Sequence, residues 1–164
     1  MKKLIAGAAV LVAAVVVAVV SLWPVQRHGP EPIAYGRDAC ARCRMQISQA
    51  GFAGELRAAD GALTKYDDIG CLLQSMARAH REFSEVWVHD HDSGDFIALL
   101  DAHLVRIQGG ATPMGSGLVA FARQAAATAY AGDRGGTVVA LEDVLKTPQR
   151  VALGPGAHPQ VQAR

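Results

Sequence analysis

The sequence predicts an α+β protein: tandem β-β-α-β units behind an N-terminal transmembrane helix. Three observations predict it. A charge-free apolar run, Leu4 to Trp23, opens the chain. Two separate stretches of extended apolar pattern each give way to a 3.6-residue period, the switch from strand to helix. Short glycine- and aspartate-containing turns separate these elements.

Leu4 to Trp23 is almost all Ala, Val and Leu, and about 20 such residues in a helix cross the hydrocarbon core of a bilayer. Lys2 and Lys3 precede the run. They hold the N-terminus in the cytoplasm and send the rest to the periplasmic side of a bacterial inner membrane. The run is long for a cleaved signal peptide, no Ala-x-Ala site follows it, and no cysteine lies near its end for lipid attachment. Residues 1–23 are therefore expected to stay as a membrane anchor, with contact to lipid through 4–23. Residues 24–37 hold three prolines and two glycines and read as a tether.

The body is expected over 38–145, its two units at about 45–92 and 102–142. In the first, Gly54 to Ala58 alternates as a half-buried strand, Asp60-Gly61 makes a hairpin turn, and Leu63 to Tyr66 returns. Asp67 or Asp68 caps a helix whose buried face is Ile69, Leu72, Leu73 and Met76, and Ser84 to His89 is the third strand. Phe96 to Leu100 is an extended link. The second unit runs Leu104 to Ile107, a glycine-rich loop from Gly109 to Gly117, Leu118 to Ala122, a helix from Arg123 to Ala131 stopped by Gly132, and a strand Thr137 to Leu141. The proline-containing stretch 146–164 reads as a disordered tail.

Charge excludes one partner class. The chain has 16 basic and 15 acidic residues, and two of the basic ones are Lys2 and Lys3, so the body is near neutral and no nucleic acid is expected. The three cysteines, Cys40, Cys43 and Cys71, are an odd number for a disulfide framework on an exported chain.

Chemistry concentrates at Cys40-Ala41-Arg42-Cys43-Arg44-Met45 and at Thr112-Pro113-Met114-Gly115-Ser116-Gly117. Thiolate and thioether are soft donors and select Cu(I). The expected site is Cu(I) on Cys40, Cys43, Met45 and Met114, with Arg44 favouring the thiolate of its neighbour. Met114 has little apolar sequence around it to pack against, whereas Met76 sits on a helix face and reads as core. Cys71 opens the first helix, where a thiol pKa falls, but it reads first as a small buried residue of that turn, since Cys is commonly buried. Asp67 and Asp68 are hard ligands and read as caps, with a partner-facing charge as a second role. His89 and His91 alternate on a strand and read as a solvated strand end. His28 falls in the presumed flexible stretch.

Other uses of the pair stay open at this point. A structural disulfide suits an oxidising compartment. A thiol-disulfide oxidoreductase using Cys40 and Cys43 is the alternative enzyme reading, although that motif normally opens a helix. Haem attachment needs His where Arg44 stands, and zinc wants a second pair.

Five features, in order, resemble the NosL family, accessory lipoproteins of nitrous oxide reductase maturation. They are Cys40-x-x-Cys43-x-Met45, Tyr66-Asp67-Asp68-Ile69-Gly70-Cys71, Asp101-Ala102, Thr112 to Gly117, and Leu118-Val119-Ala120-Phe121. The resemblance implies a periplasmic Cu(I) chaperone without catalysis. Its partners would be a client copper enzyme, nitrous oxide reductase, and other copper-delivery proteins. Two departures stand out: a spanning segment replaces the family's lipidated cysteine, and Arg44 replaces a glycine.

Overall fold

The structure, a computed structural model, describes residues 28–79 and 82–146. The expected anchor and tail lie outside the described residues, and among those described no helix is long and apolar enough to cross a membrane. The fold is mixed α+β with two antiparallel sheets. Strands β1 (Gly54–Ala58), β2 (Leu63–Tyr66), β3 (Phe83–His89) and β4 (Phe96–Ala98) form the first in the order β2-β1-β3-β4. Strands β5 (His103–Arg106), β6 (Leu118–Phe121) and β7 (Thr137–Val139) form the second in the order β6-β5-β7. Helices are α1 (Ile69–Arg78), α2 (Gln124–Arg134) and α3 (Leu141–Lys146). Each sheet thus has the first strand of a β-β-α-β run at its centre, flanked by the second and third.

Local chemistry explains the turns. Gly61 takes a φ of 87° in the β1–β2 hairpin, while the Asp60 carboxylate accepts from Ala62 N at 3.0 Å. The second helix runs past Gly132 and stops at Gly135, which has φ 63° and lets Gly136 N bond to Ala131 O at 2.8 Å. That left-handed cap, not glycine as such, ends the helix.

Three further elements differ from expectation. The link at Phe96 is a strand, paired from Trp87↔Ala98 to His89↔Phe96, and Leu99–Asp101 then forms a 3-10 turn. The last strand ends at Val139 instead of Leu141, because Leu141, Val144 and Leu145 recur at helical spacing. Glu142 and Asp143 in its first turn and Lys146 in its last complement the α3 dipole. The third difference concerns the tether. From His28 on, the segment lies along the first sheet: Gly29 N and Glu31 N donate to Glu85 and Glu55 at 2.8 Å each, Lys65 Nζ reaches Pro32 O at 2.7 Å, and Ile33 is buried.

That strap changes what β1 is. Its alternation predicted a wet polar face, yet all five residues are buried. Leu56 faces α1, and Glu55 and Arg57 face the strap, Arg57 donating to Gly29 O at 2.8 Å. β6 is buried on both faces for another reason. Leu118 and Ala120 join the core shared with Leu56, Ile69, Leu72 and Val88, while Val119 and Phe121 pack with Ala127 and Ala131 of α2. A continuous apolar run is what two covered faces require.

Candidate metal centre

The first thiols sit in a closed loop. Ala39 and Gln46 bridge antiparallel, Cys40 N donates to Met45 O at 2.8 Å, and Arg44 N donates to Cys40 O at 3.0 Å. Closing it needs one residue in the left-handed region. Arg44 takes that role with a φ of 66°, the one non-glycine among the described residues to do so. A left-handed residue other than glycine costs about 1–2 kcal/mol, partly offset by glycine's greater freedom when unfolded. Arg44→Gly is therefore expected to stabilise the protein by about 1 kcal/mol, or roughly 4 °C in Tm; thermal melts check this, and an unchanged or lower Tm contradicts it.

Two contacts pin the loop to the rest of the fold. Ala41 N donates to Lys65 O of β2 at 2.8 Å, and the Arg42 guanidinium bonds Gln74 Oε1 on α1. Asp68 caps α1, its Oδ1 accepting from Gly70 N at 2.7 Å, which sets Cys71 in the first turn. The result is a convergence of all three thiols: the sulfurs of Cys40, Cys43 and Cys71 lie within 4.8 Å of one another. Cys40 and Cys71 are buried, Cys43 is half-buried, and all three are free. Among the described residues this is the group of three or more His, Cys, Asp or Glu side chains arranged to hold a metal ion.

The three thiols are electrostatically unlike. Cys40 falls from an ordinary thiol value to about 5, chiefly because the Cys71 thiol donates to it, with further help from the backbone N–H groups of Cys43, Asp67 and Arg42. Cys71 is pushed up by that same hydrogen bond and then by burial. Burial raises Cys43. The expected roles of Arg44 and of the helix N-terminus therefore do not govern: the thiolate is Cys40, and its neighbours are held as thiols at neutral pH.

The loop 112–117 is latched beside this cluster by the same Asp68. Its Oδ2 accepts from Thr112 Oγ1 at 2.7 Å and from Met114 N at 3.1 Å. Thr112 Oγ1 in turn accepts from Gly117 N at 3.2 Å. Met114 is half-buried and packs on the core cluster that contains Cys40 and Cys71, with Cys43 on its margin. Met45 ends the thiol loop and is 58% exposed.

Other candidates are placed elsewhere. Asp67 and Asp68 are buried and so present no charge at the surface; Asp67 accepts from Ser48 N at 3.0 Å, and burial raises its pKa. His89 and His91 are not a solvated strand end. His89 is buried between Tyr35 Oη (3.0 Å) and Gly94 O (2.6 Å), and burial lowers its pKa. His91 lies among the rings of Phe52, Phe121 and Tyr130. His28 pairs with Glu85 at 3.2 Å. Met76 packs on the core, as its helix position predicted. What sequence reasoning left out of the ligand set is Cys71. The one local signal was a thiol in the first turn of a helix, and only the tertiary fold brings it to Cys40.

Comparison with known proteins adds the family. No curated protein matches the chain significantly. The crystal structure of the copper chaperone NosL from Shewanella denitrificans matches with a TM-score of 0.63 at 19% identity, covering 71% of this chain and 96% of that one. At that identity the likeness shows a shared fold. The family model described as NosL matches residues 33–148, a span that includes the thiol loop, the Asp68 cap and the latched methionine loop. The chain therefore belongs to the NosL family.

Proposed function

We propose that the protein is a membrane-tethered periplasmic Cu(I) chaperone, delivering copper for assembly of a copper enzyme, nitrous oxide reductase. The observation that carries this reading is the convergence of Cys40, Cys43 and Cys71 within 4.8 Å, beside a methionine loop fastened to the same helix cap. Soft sulfur donors select Cu(I). Cys40 supplies a ready thiolate, Cys43 a second donor near the surface, and Met45 and Met114 neutral thioethers. Cys71 holds Cys40 ionised and stands close enough to join. Thioethers bind less tightly than a full thiolate set, so the ion can leave by ligand exchange. The 20-residue apolar run after Lys2-Lys3 supports the tether.

The geometry disfavours the thiol-disulfide oxidoreductase. An attacking thiolate must be accessible, but here the low-pKa Cys40 is buried and the more accessible Cys43 is raised. The Cys-x-x-Cys pair also sits in a closed loop instead of opening a helix.

The test is competition with a Cu(I)-specific chelator at neutral pH under reducing conditions. Met114→Leu and Met45→Leu keep the bulk and remove the sulfur. Each is expected to weaken binding by at least about tenfold, the low end of what even outer-shell losses cost. If both bind Cu(I) as the parent does, the methionines are not ligands and the redox reading gains.

A further inference from the structure

The chain enters and leaves the described fold at one place. On the N-terminal side, His28 and Gly29 are fastened to the Glu85 carboxylate. On the C-terminal side, α3 closes at Lys146, directly after Leu145. Glu85 and Leu145 both line one apolar groove of about 430 Å³. Its floor is the part of β3 that β4 does not reach, since that pairing begins only at Trp87. Met76 and Leu100 complete the walls. Leu100 is 87% exposed and Leu145 42%.

This groove lies across the first sheet from the thiols. The thiol loop hangs on Lys65 of β2, one edge strand, whereas the groove is lined by β3 and the end of β4, on the other side of β1. Helix α1 contributes to both places, with Cys71 in its first turn and the groove-lining Met76 five residues on, about 7.5 Å along the axis.

We infer that the groove end is the membrane-facing surface of the domain, with Leu100 and Leu145 seated in the interfacial layer of a lipid bilayer and the thiols presented away from it. This rests on the anchor in the proposed function. The strap is docked from His28 on, so the slack between the end of the apolar run at Trp23 and Glu85 is about 18 Å at full extension. A tether of fourteen free residues (24–37) would have let any face of the domain reach the bilayer; the docked strap keeps the groove end within the shorter reach. At that reach the bilayer interface is the apolar phase at hand, and it matches two exposed leucines on the walls of an apolar groove. The rim charges are mixed, Arg78 and Lys146 against Glu82 and Asp101, all exposed. The contact is therefore apolar and needs no anionic lipid.

The experiment uses the full chain in phosphatidylcholine nanodiscs with bromine near the top of the acyl chains. Trp23→Phe and Trp87→Phe remove the two native tryptophans, of the anchor and of the groove wall, and Leu100→Trp or Leu145→Trp places a single reporter at the groove. Both reporters are expected to be quenched by the brominated lipid and shielded from aqueous acrylamide. Reporters quenched by acrylamide and not by lipid overturn the inference. So do reporters shielded from both, which would mean that the tail, a second copy or another protein covers the groove. A chain that does not remain with the discs overturns the anchor and the inference together. A Leu100→Glu variant in the Leu145→Trp background that loses lipid quenching yet keeps parental Cu(I) affinity supports the inference and shows that it stands or falls separately from copper binding.

Discussion

Serine at position 40 is expected to weaken Cu(I) binding by more than about 100-fold at pH 7, beyond the range that outer-shell losses reach. Cys40 is the one thiol of the three held at about 5, so it is the one already ionised when copper arrives. Cys43 and Cys71 are both raised, and without Cys40 every remaining thiol must first surrender a proton. Serine is nearly the same size, and its oxygen can still accept the N–H groups that surround the sulfur, so the loop should keep its shape. Chelator competition reads the affinity, and circular dichroism reads the fold. Cys71→Ser is the contrast, and is expected to cost less because Cys71 acts first through Cys40. Parental affinity in Cys40→Ser would contradict the assignment of the thiolate.

Asp68→Ala should be the most damaging single change to the fold near the site. One fully buried carboxylate serves three donors: Gly70 N, Thr112 Oγ1 and Met114 N. Losing the cap costs about 1 kcal/mol, and each buried donor left without an acceptor costs about 1–3 kcal/mol. A loss of about 3 kcal/mol is expected in denaturant unfolding. Asp68→Asn separates the two roles. Asparagine caps a helix well, but its amide offers one acceptor oxygen and turns two more donors on Thr112 and Met114. It should recover the cap's share of about 1 kcal/mol and still weaken Cu(I) by about 10- to 100-fold, the range for outer-shell partners. If Asp68→Asn leaves copper affinity unchanged, the latch does not serve the site.

These two residues show what was legible in the sequence. The capping role of Asp68 is local, and an Asp before an apolar helical face announces it. Its hold on Met114, 46 positions away, is tertiary and leaves no pattern in either stretch. Cys40, Cys43 and Cys71 divide the same way: the first pair is a spacing, but the third joins only because β2 and α1 fold the loop back. Strand alternation located β1 but misjudged its polar face, because nothing in Glu55-Leu56-Arg57 reveals that residues 28–37 lie over it. The same strap captures His28, and Tyr35 meets the buried His89. Short elements were the other loss. Phe96–Ala98 and Leu141–Lys146 carry too few residues to establish a period, and their pairing and packing decide them.

The central claim is that Cu(I) binds to thiolates of this cluster, and the pH dependence of affinity tests it most directly. In the free protein Cys40 is ionised above about 5, while Cys43 and Cys71 keep their protons through neutral pH. Binding copper as thiolate must expel any proton still on a ligand. Cys40 contributes none above pH 5, and Cys43 contributes one. Anaerobic chelator competition between pH 6 and 8 should therefore show affinity rising by about tenfold per pH unit, and by up to about a hundredfold if Cys71 is ionised as well. Below pH 5 the slope should steepen by one further proton as Cys40 titrates. A flat profile from pH 6 to 8, once the chelator's own titration is subtracted, would mean that no thiol is ionised on binding and would contradict the account.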